Sequence, residues 1–365
     1  MSRFLAEPEY KHGSMQRVGI LLVNLGSPEA PTPKAVRKYL AEFLWDPRVV
    51  EVPRPLWWLI LNGIILTTRP AKSAAKYAKV WTKYGSPLRI HTENQAKMLA
   101  GYFMQDGAKD VVVEYAMRYG EPSVENALLK LKAKQCNRIL VVPLYPQYAA
   151  STTASVFDAV AQAMLKIRNL PEIRLMRSFC DHPAYIEAQA LQLIDHWKRE
   201  GIPDKLVMSF HGVPRASLDK GDPYFCECHK TARLLAEYLS LKPEQYVVTF
   251  QSRFGRAEWL QPYTEPTLRE LAKKGVGTVD VVCPGFVSDC LETLEEISLE
   301  GKEAFLSSGG KFFRYVPCLN ERHEFIVVLR TIAREHISDW LSKTPPTQDE
   351  CVASAMRAAR LGAKQ

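Results

Sequence analysis

The sequence predicts an α/β protein made of two four-stranded, mostly parallel sheets with helices packed on their faces. Eight short β-branched runs recur along the chain, and a longer segment of helical period stands between most successive pairs. A strand that rejoins its own sheet in parallel needs a crossover of about a dozen residues or more, which such helices supply. At 365 residues the chain has room for two ordinary domains, and eight strands divide more naturally into two units of four than into one large sheet.

In chain order, strands are expected at Val18–Leu25 (VGILLVNL), Val111–Tyr115 (VVVEY), Ile139–Pro143 (ILVVP) and Ile173–Arg177 (IRLMR). They continue at Leu206–Phe210 (LVMSF), Val247–Gln251 (VVTFQ), Thr278–Cys283 (TVDVVC) and Phe312–Val316 (FFRYV). Helical period predicts helices at Thr32–Trp45, Thr92–Gln105, Ser123–Lys134, Ser151–Arg168 and Pro183–Arg199. Further helices are expected at Lys230–Leu239, Pro262–Lys273 and Leu291–Phe305, with a last amphipathic one from about Glu321 to Leu341. The stiff PLYP segment at Pro143–Pro146 places the domain boundary, and the last helix packs back on the first unit. The expected division is residues 17–143 plus 317–343 for domain 1 and 144–316 for domain 2. Polar segments at 1–16 and 344–365 are expected to be flexible.

The composition, 47% hydrophobic and 24% charged, is that of a soluble globular protein. A net charge of +8 favours an acidic partner, but the basic residues are scattered and form no nucleic-acid signature, so no nucleic acid is expected. The longest apolar run, Pro55 to Leu66, is well short of the ~20 residues that span a bilayer. With no charged-then-apolar leader ahead of the eight cysteines, a reducing compartment and free thiols are expected.

Ligands of open parallel sheets collect beyond the carboxyl ends of the strands. The segments there are NLGSP (Asn24–Pro28), MRYGEP (Met117–Pro122), YPQYAASTT (Tyr145–Thr153), SFHGVP (Ser209–Pro214), QSRFG (Gln251–Gly255) and PGFVSDCLETLEE (Pro284–Glu296). None is a phosphate-binding glycine loop, which argues against a nucleotide cofactor.

His211 stands at the end of one strand, just before Gly212 and Pro214. An imidazole titrates near neutrality and suits either a proton or a borderline metal; the bland alternative is a histidine that only hydrogen-bonds its loop. Asp289, Glu292 and Glu296 are spaced i, i+3, i+7, which lines three carboxylates along one face of an α-helix. Such a row could pass protons or a divalent cation. A capping box accounts for Asp289 and Glu292 without function, but poorly for Glu296. Cys226, Cys228 and His229 lack the second ligand pair of a structural zinc site and read as a helix start with incidental thiols.

The run from Arg54 to Pro70 is the most hydrophobic part of the chain. One reading is a core helix. Yet Trp57 and Trp58 are adjacent and point about 100° apart, so one narrow buried stripe does not hold both. An apolar lip over a large flat ligand, or a membrane-facing surface, accounts for both. Arg69, Lys72 and Tyr77 follow it and suit ligand carboxylates.

From about Arg17 to Leu341 these segments, in order, resemble the ferrochelatases. LLVNLGSP, RPAKSAAKYAKVWTKYGSPL, YPQYAASTT, SFHGVP with KGDPY, FQSRFG, EWLQP and SDCLETLEEI carry the likeness. The resemblance implies two similar Rossmann-like domains with the active-site cleft between them. It implies insertion of Fe²⁺ into protoporphyrin IX with release of two protons, the last step of haem synthesis. His211 then matches the metal-site histidine and Glu292 its partner carboxylate, with Asp289 and Glu296 an acidic path leading away. Leu25, Arg118, Tyr119 and Trp259 match positions lining the porphyrin pocket, and Arg69, Tyr77 and Ser86 positions near the propionates. Fe²⁺ is a substrate, no resident cofactor is implied, and with only Cys351 in the tail no [2Fe-2S] cluster is expected. The expected place is the cytoplasm, with peripheral contact of the 55–66 lip at the inner face of the membrane. The alternatives are a chelatase for coproporphyrin or another tetrapyrrole, and a non-catalytic tetrapyrrole carrier.

Overall fold

A computed structural model of the chain describes residues 4–255, 257–342 and 346–363. Its eight strands form two four-stranded sheets, ordered β2-β1-β3-β4 and β6-β5-β7-β8, with every ladder parallel. The first sheet uses β1 (Arg17–Asn24), β2 (Val111–Met117), β3 (Cys136–Pro143) and β4 (Glu172–Leu175). The second uses β5 (Lys205–His211), β6 (Tyr246–Gln251), β7 (Thr278–Val282) and β8 (Phe312–Tyr315). The two orders are the same when each sheet is numbered from its own first strand.

β1 is apolar almost throughout because helices cover both faces of its sheet. Ile20 and Leu22 enter one core cluster with Leu140, Phe325, Leu329 and Ile332, while Leu21 and Val23 enter another with Leu128, Leu131 and Val141. Residues two apart share a face, as a pleated strand requires. The helix His323–Leu341 supplies much of the first cluster, so the end of the chain packs on the first sheet.

Several expectations need amendment. β4 pairs with β3, so the strand set of the first sheet runs past the expected boundary at 143–144. The periodicity of a run does not reveal which sheet it joins. The termini are built into the fold where they are described. Leu5 N–H bonds the Lys166 carbonyl at 2.9 Å, and Gln348–Arg360 is a helix capped by Thr347 with Cys351 buried beneath it. Residues 1–3, 344–345 and 364–365 of those expected flexible segments, and residue 343 of the expected first domain, lie outside the described residues.

The lip is helical from Arg54 to Val80, with a π-helical stretch at Leu61–Ile65 between two α-helical ones. The tryptophans divide as their angular separation demands. Trp57 is buried, its indole N–H bonding the Leu44 carbonyl at 2.7 Å, whereas Trp58 is 55% exposed. No helix among the described residues is long and apolar enough to cross a membrane.

Candidate active site

Two of the segments beyond the strand ends converge on His211. The residue ends β5 and pairs in the ladder with Gln251, the last residue of β6. Its Nδ1 lies 2.6 Å from the Gly212 carbonyl oxygen. A carbonyl only accepts, so this bond places a proton on Nδ1 and leaves the Nε2 lone pair to take a proton or a metal. Gly212 is required there by space, because a Cβ would lie 2.7 Å from the Gln251 carbonyl oxygen and 3.2 Å from the Trp259 ring.

Gln251 links the histidine to the acidic helix. It is buried, its Oε1 accepts from Ser209 Oγ at 2.8 Å, and its Nε2 donates to the Glu292 carbonyl at 2.8 Å. Ser252 follows in the left-handed region, at φ 66°, which a non-glycine residue adopts when its surroundings hold it there. That turn aims the Ser252 N–H at Glu296 Oε1, 2.6 Å away, and its hydroxyl at Oε2, 2.5 Å away.

The acidic helix, Glu292–Gly301, is π-helical throughout. Bonding from i to i+5 widens each turn to roughly four to five residues, which keeps Glu292 and Glu296 on one face. Burial raises the pKa of Glu296; Ser252 and the nearby His211 imidazole pull it back down, and the Glu292 carboxylate pushes it up. His211, Glu292 and Glu296 therefore share one electrostatic neighbourhood. The hydroxyls of Tyr39 and Tyr77 belong to it too: burial raises both pKa values first, followed by Glu292 for Tyr77 and by Tyr77 and then Glu292 for Tyr39.

Asp289 is not brought into this row. It precedes the helix, and its oxygens accept from the Tyr315 hydroxyl at 2.5 Å, Asn320 Nδ2 at 2.7 Å, Thr293 Oγ1 at 3.1 Å and Cys318 N at 3.3 Å. The i, i+3, i+7 argument assumed an α-helix extending back to residue 289. The residue instead anchors the loop before a wider helix.

The expected porphyrin residues fall into three groups. Leu25, Tyr77 and Tyr119 join one apolar cluster with Tyr39 and Leu291, the neighbour of Glu292. Within it Tyr119 is wholly buried, and both it and Arg118 are held by Asp46. The Arg118 guanidinium lies 2.6 Å from Asp46 Oδ2, and the Tyr119 and Ser155 hydroxyls lie 2.8 and 2.6 Å from it. Burial alone would raise the Asp46 pKa, but Ser155, the Arg48 N–H, Tyr119 and Arg118 together hold it low. Arg118 and Tyr119 thus build the wall rather than extend from it. Gly26 permits this close approach, since a Cβ there would lie 1.9 Å from the Tyr119 carbonyl oxygen.

Trp259 forms a second group with the histidine loop, bridging Pro214, and its indole N–H is buried without a partner among the described residues. Arg69 and Ser86 stand apart. Arg69 stacks on the Phe254 ring at 4.1 Å, and Ser86 is buried at the start of the helix Pro87–Gln105. Sequence reasoning missed Gln251, Ser252, Tyr39 and Asp46 as parts of the site. A serine before Arg-Phe-Gly at a strand's end was the available signal for Ser252.

The family model described as Ferrochelatase matches residues 17–337. Ferrochelatases of Aromatoleum aromaticum and of an Azoarcus species are 61% and 59% identical over 365 residues, covering all of both chains. That of Nitrosomonas europaea is 53% identical over the same length. Among solved structures, SirB from Bacillus subtilis with Fe³⁺ superposes with a TM-score of 0.50 at 14% identity, covering 89% of this chain and 98% of that one. This last likeness concerns the fold alone.

Proposed function

The chain belongs to the ferrochelatase family, an enzyme of haem synthesis that inserts Fe²⁺ into protoporphyrin, and on that premise we propose that His211, Glu292 and Glu296 carry the insertion. Family membership does not favour the carrier or the other-tetrapyrrole alternatives.

Insertion replaces two pyrrole N–H protons by one Fe²⁺, so the site must accept two protons and present the metal. His211 Nε2 takes the first proton, its Nδ1 already committed to Gly212. The imidazolium passes it to Glu296, whose raised proton affinity suits a relay better than an ordinary carboxylate. Glu292, beside Tyr77 and Leu291 on the lip side, and His211, freed by that transfer, divide the two remaining roles, one holding iron and the other taking the second proton. The apolar cluster around Leu25, Tyr39 and Tyr77 grips the ring, and binding energy made there offsets the cost of bending it toward the metal. Arg69 reaches a propionate by leaving Phe254, and Trp259 borders the ring beside the histidine loop. Asp289 has no part in this route.

The observation that carries the reading is the geometry that joins the three: Gln251, the ladder partner of His211, donates to the Glu292 carbonyl, and Ser252 beside it holds the Glu296 carboxylate. Fe²⁺ and protoporphyrin IX mixed with enzyme test it through loss of free-base fluorescence. Glu292→Gln should slow turnover by about 10²-fold or more and Glu296→Gln by less. Equal, wild-type-like rates in both would refute the assignment.

Leu56, Trp58, Leu59 and Ile64, each more than half exposed, support a peripheral contact of the lip with an anionic membrane at its cytoplasmic face.

A further inference from the structure

Glu295 lies on the acidic helix between Glu292 and Glu296, yet the insertion chemistry does not use it. Its side chain is only 1% exposed, an expensive place for a carboxylate unless cations reach it. Two do, and both come from the lip helix Leu66–Val80. Lys76 Nζ lies 2.8 Å from Oε2 and Lys79 Nζ 3.1 Å from Oε1. Lys76 also pairs with Glu300 at 2.8 Å, one turn further along the acidic helix.

The two lysines are spaced i, i+3 and share a face of the lip helix. The residue after Lys76 is Tyr77, whose buried hydroxyl feels Glu292. The ion pairs therefore join, within a residue on either side, the lip wall that grips the ring and the helix that holds the reacting carboxylates. A buried ion pair is weak evidence for stability, but its directional bonds fix register between the elements it joins.

We propose that Glu295, with Lys76 and Lys79, is a positioning device that staples the porphyrin lip to the acidic helix and sets the gap between Tyr77 and Glu292. It rests on the insertion reading and adds a way for the ring to be held at the right depth. Neither lysine nor Glu295 touches the reacting atoms.

The test compares porphyrin KM, kcat and melting temperature for Glu295→Gln, Lys76→Gln/Lys79→Gln and Lys76→Arg/Lys79→Arg. A released lip grips the ring less tightly in ground and transition state alike, so the glutamine variants should raise porphyrin KM about tenfold. Their kcat at saturation should stay within about threefold, the pattern of lost ground-state positioning. The arginine pair keeps the charge and should hold KM within about twofold. Hydrogen exchange at 66–80, faster in the glutamine variants, reads lip release without any turnover. A wild-type enzyme that inserts no iron would overturn the insertion reading. Unchanged KM in a glutamine variant that melts like wild type would overturn the staple. So would a fall in kcat with KM unmoved.

Discussion

At the scale of single residues, the site depends on where protons are held. The Gly212 carbonyl fixes the His211 tautomer, and burial keeps Glu296 readier to accept a proton than a solvated carboxylate. This has a consequence for stability. The fold binds the Glu296 proton more tightly than the unfolded chain, whose ordinary value is 4.5. Stability therefore falls as pH rises from that value through the raised one, and the full cost is present above it. Glu296→Gln removes that cost and keeps the shape that Ser252 holds. Its melting temperature should equal wild type near pH 4 and match or exceed it at pH 7, while turnover falls; a lower melting temperature confined to pH 7 would contradict this. His211, Glu292 and Glu296 were singled out in the sequence because a strand's end and a row of carboxylates are visible there. Gln251 and Ser252 were not, because their roles depend on a ladder partner and a left-handed turn that only the fold supplies.

Among the elements, the π-helices explain most of what periodicity misread. Each of the three, at Leu61–Ile65, Ala150–Ala154 and Glu292–Gly301, sits in a segment expected to be simply α-helical or a loop. A widened turn still keeps Glu292 and Glu296 on one face, whereas Asp289 left the row because the helix begins only after it. The lip is a better-read element, since adjacent tryptophans must face different surroundings. Trp57→Ala should cost about 3–5 kcal/mol, from the cavity and the lost Leu44 bond. Trp58→Ala should change stability by no more than about 0.5 kcal/mol and reduce flotation with anionic liposomes. Equal melting losses for the two, or a wild-type chain that never floats, would contradict this division of labour. The capped helix Gln348–Arg360 was hidden in a polar tail, although Thr347 and Glu350 form a capping box that sequence inspection could have found.

For the whole molecule, alternation of strand and helix was enough to give two parallel sheets, because a parallel return leaves few other topologies. It did not allot β4 to the first sheet, since an exposed four-residue edge strand carries no label of its neighbour. The helix His323–Leu341 returns to the start of the chain and completes the core under β1. What the fold assembles is an imidazole with one free nitrogen beside two carboxylates and an apolar grip. The most direct test is single-turnover Fe²⁺ insertion by His211→Ala, with porphyrin affinity measured in parallel by fluorescence titration. Porphyrin should bind within a few-fold of wild type while insertion drops by about 10²-fold or more. Insertion at the wild-type rate by that variant would contradict the account.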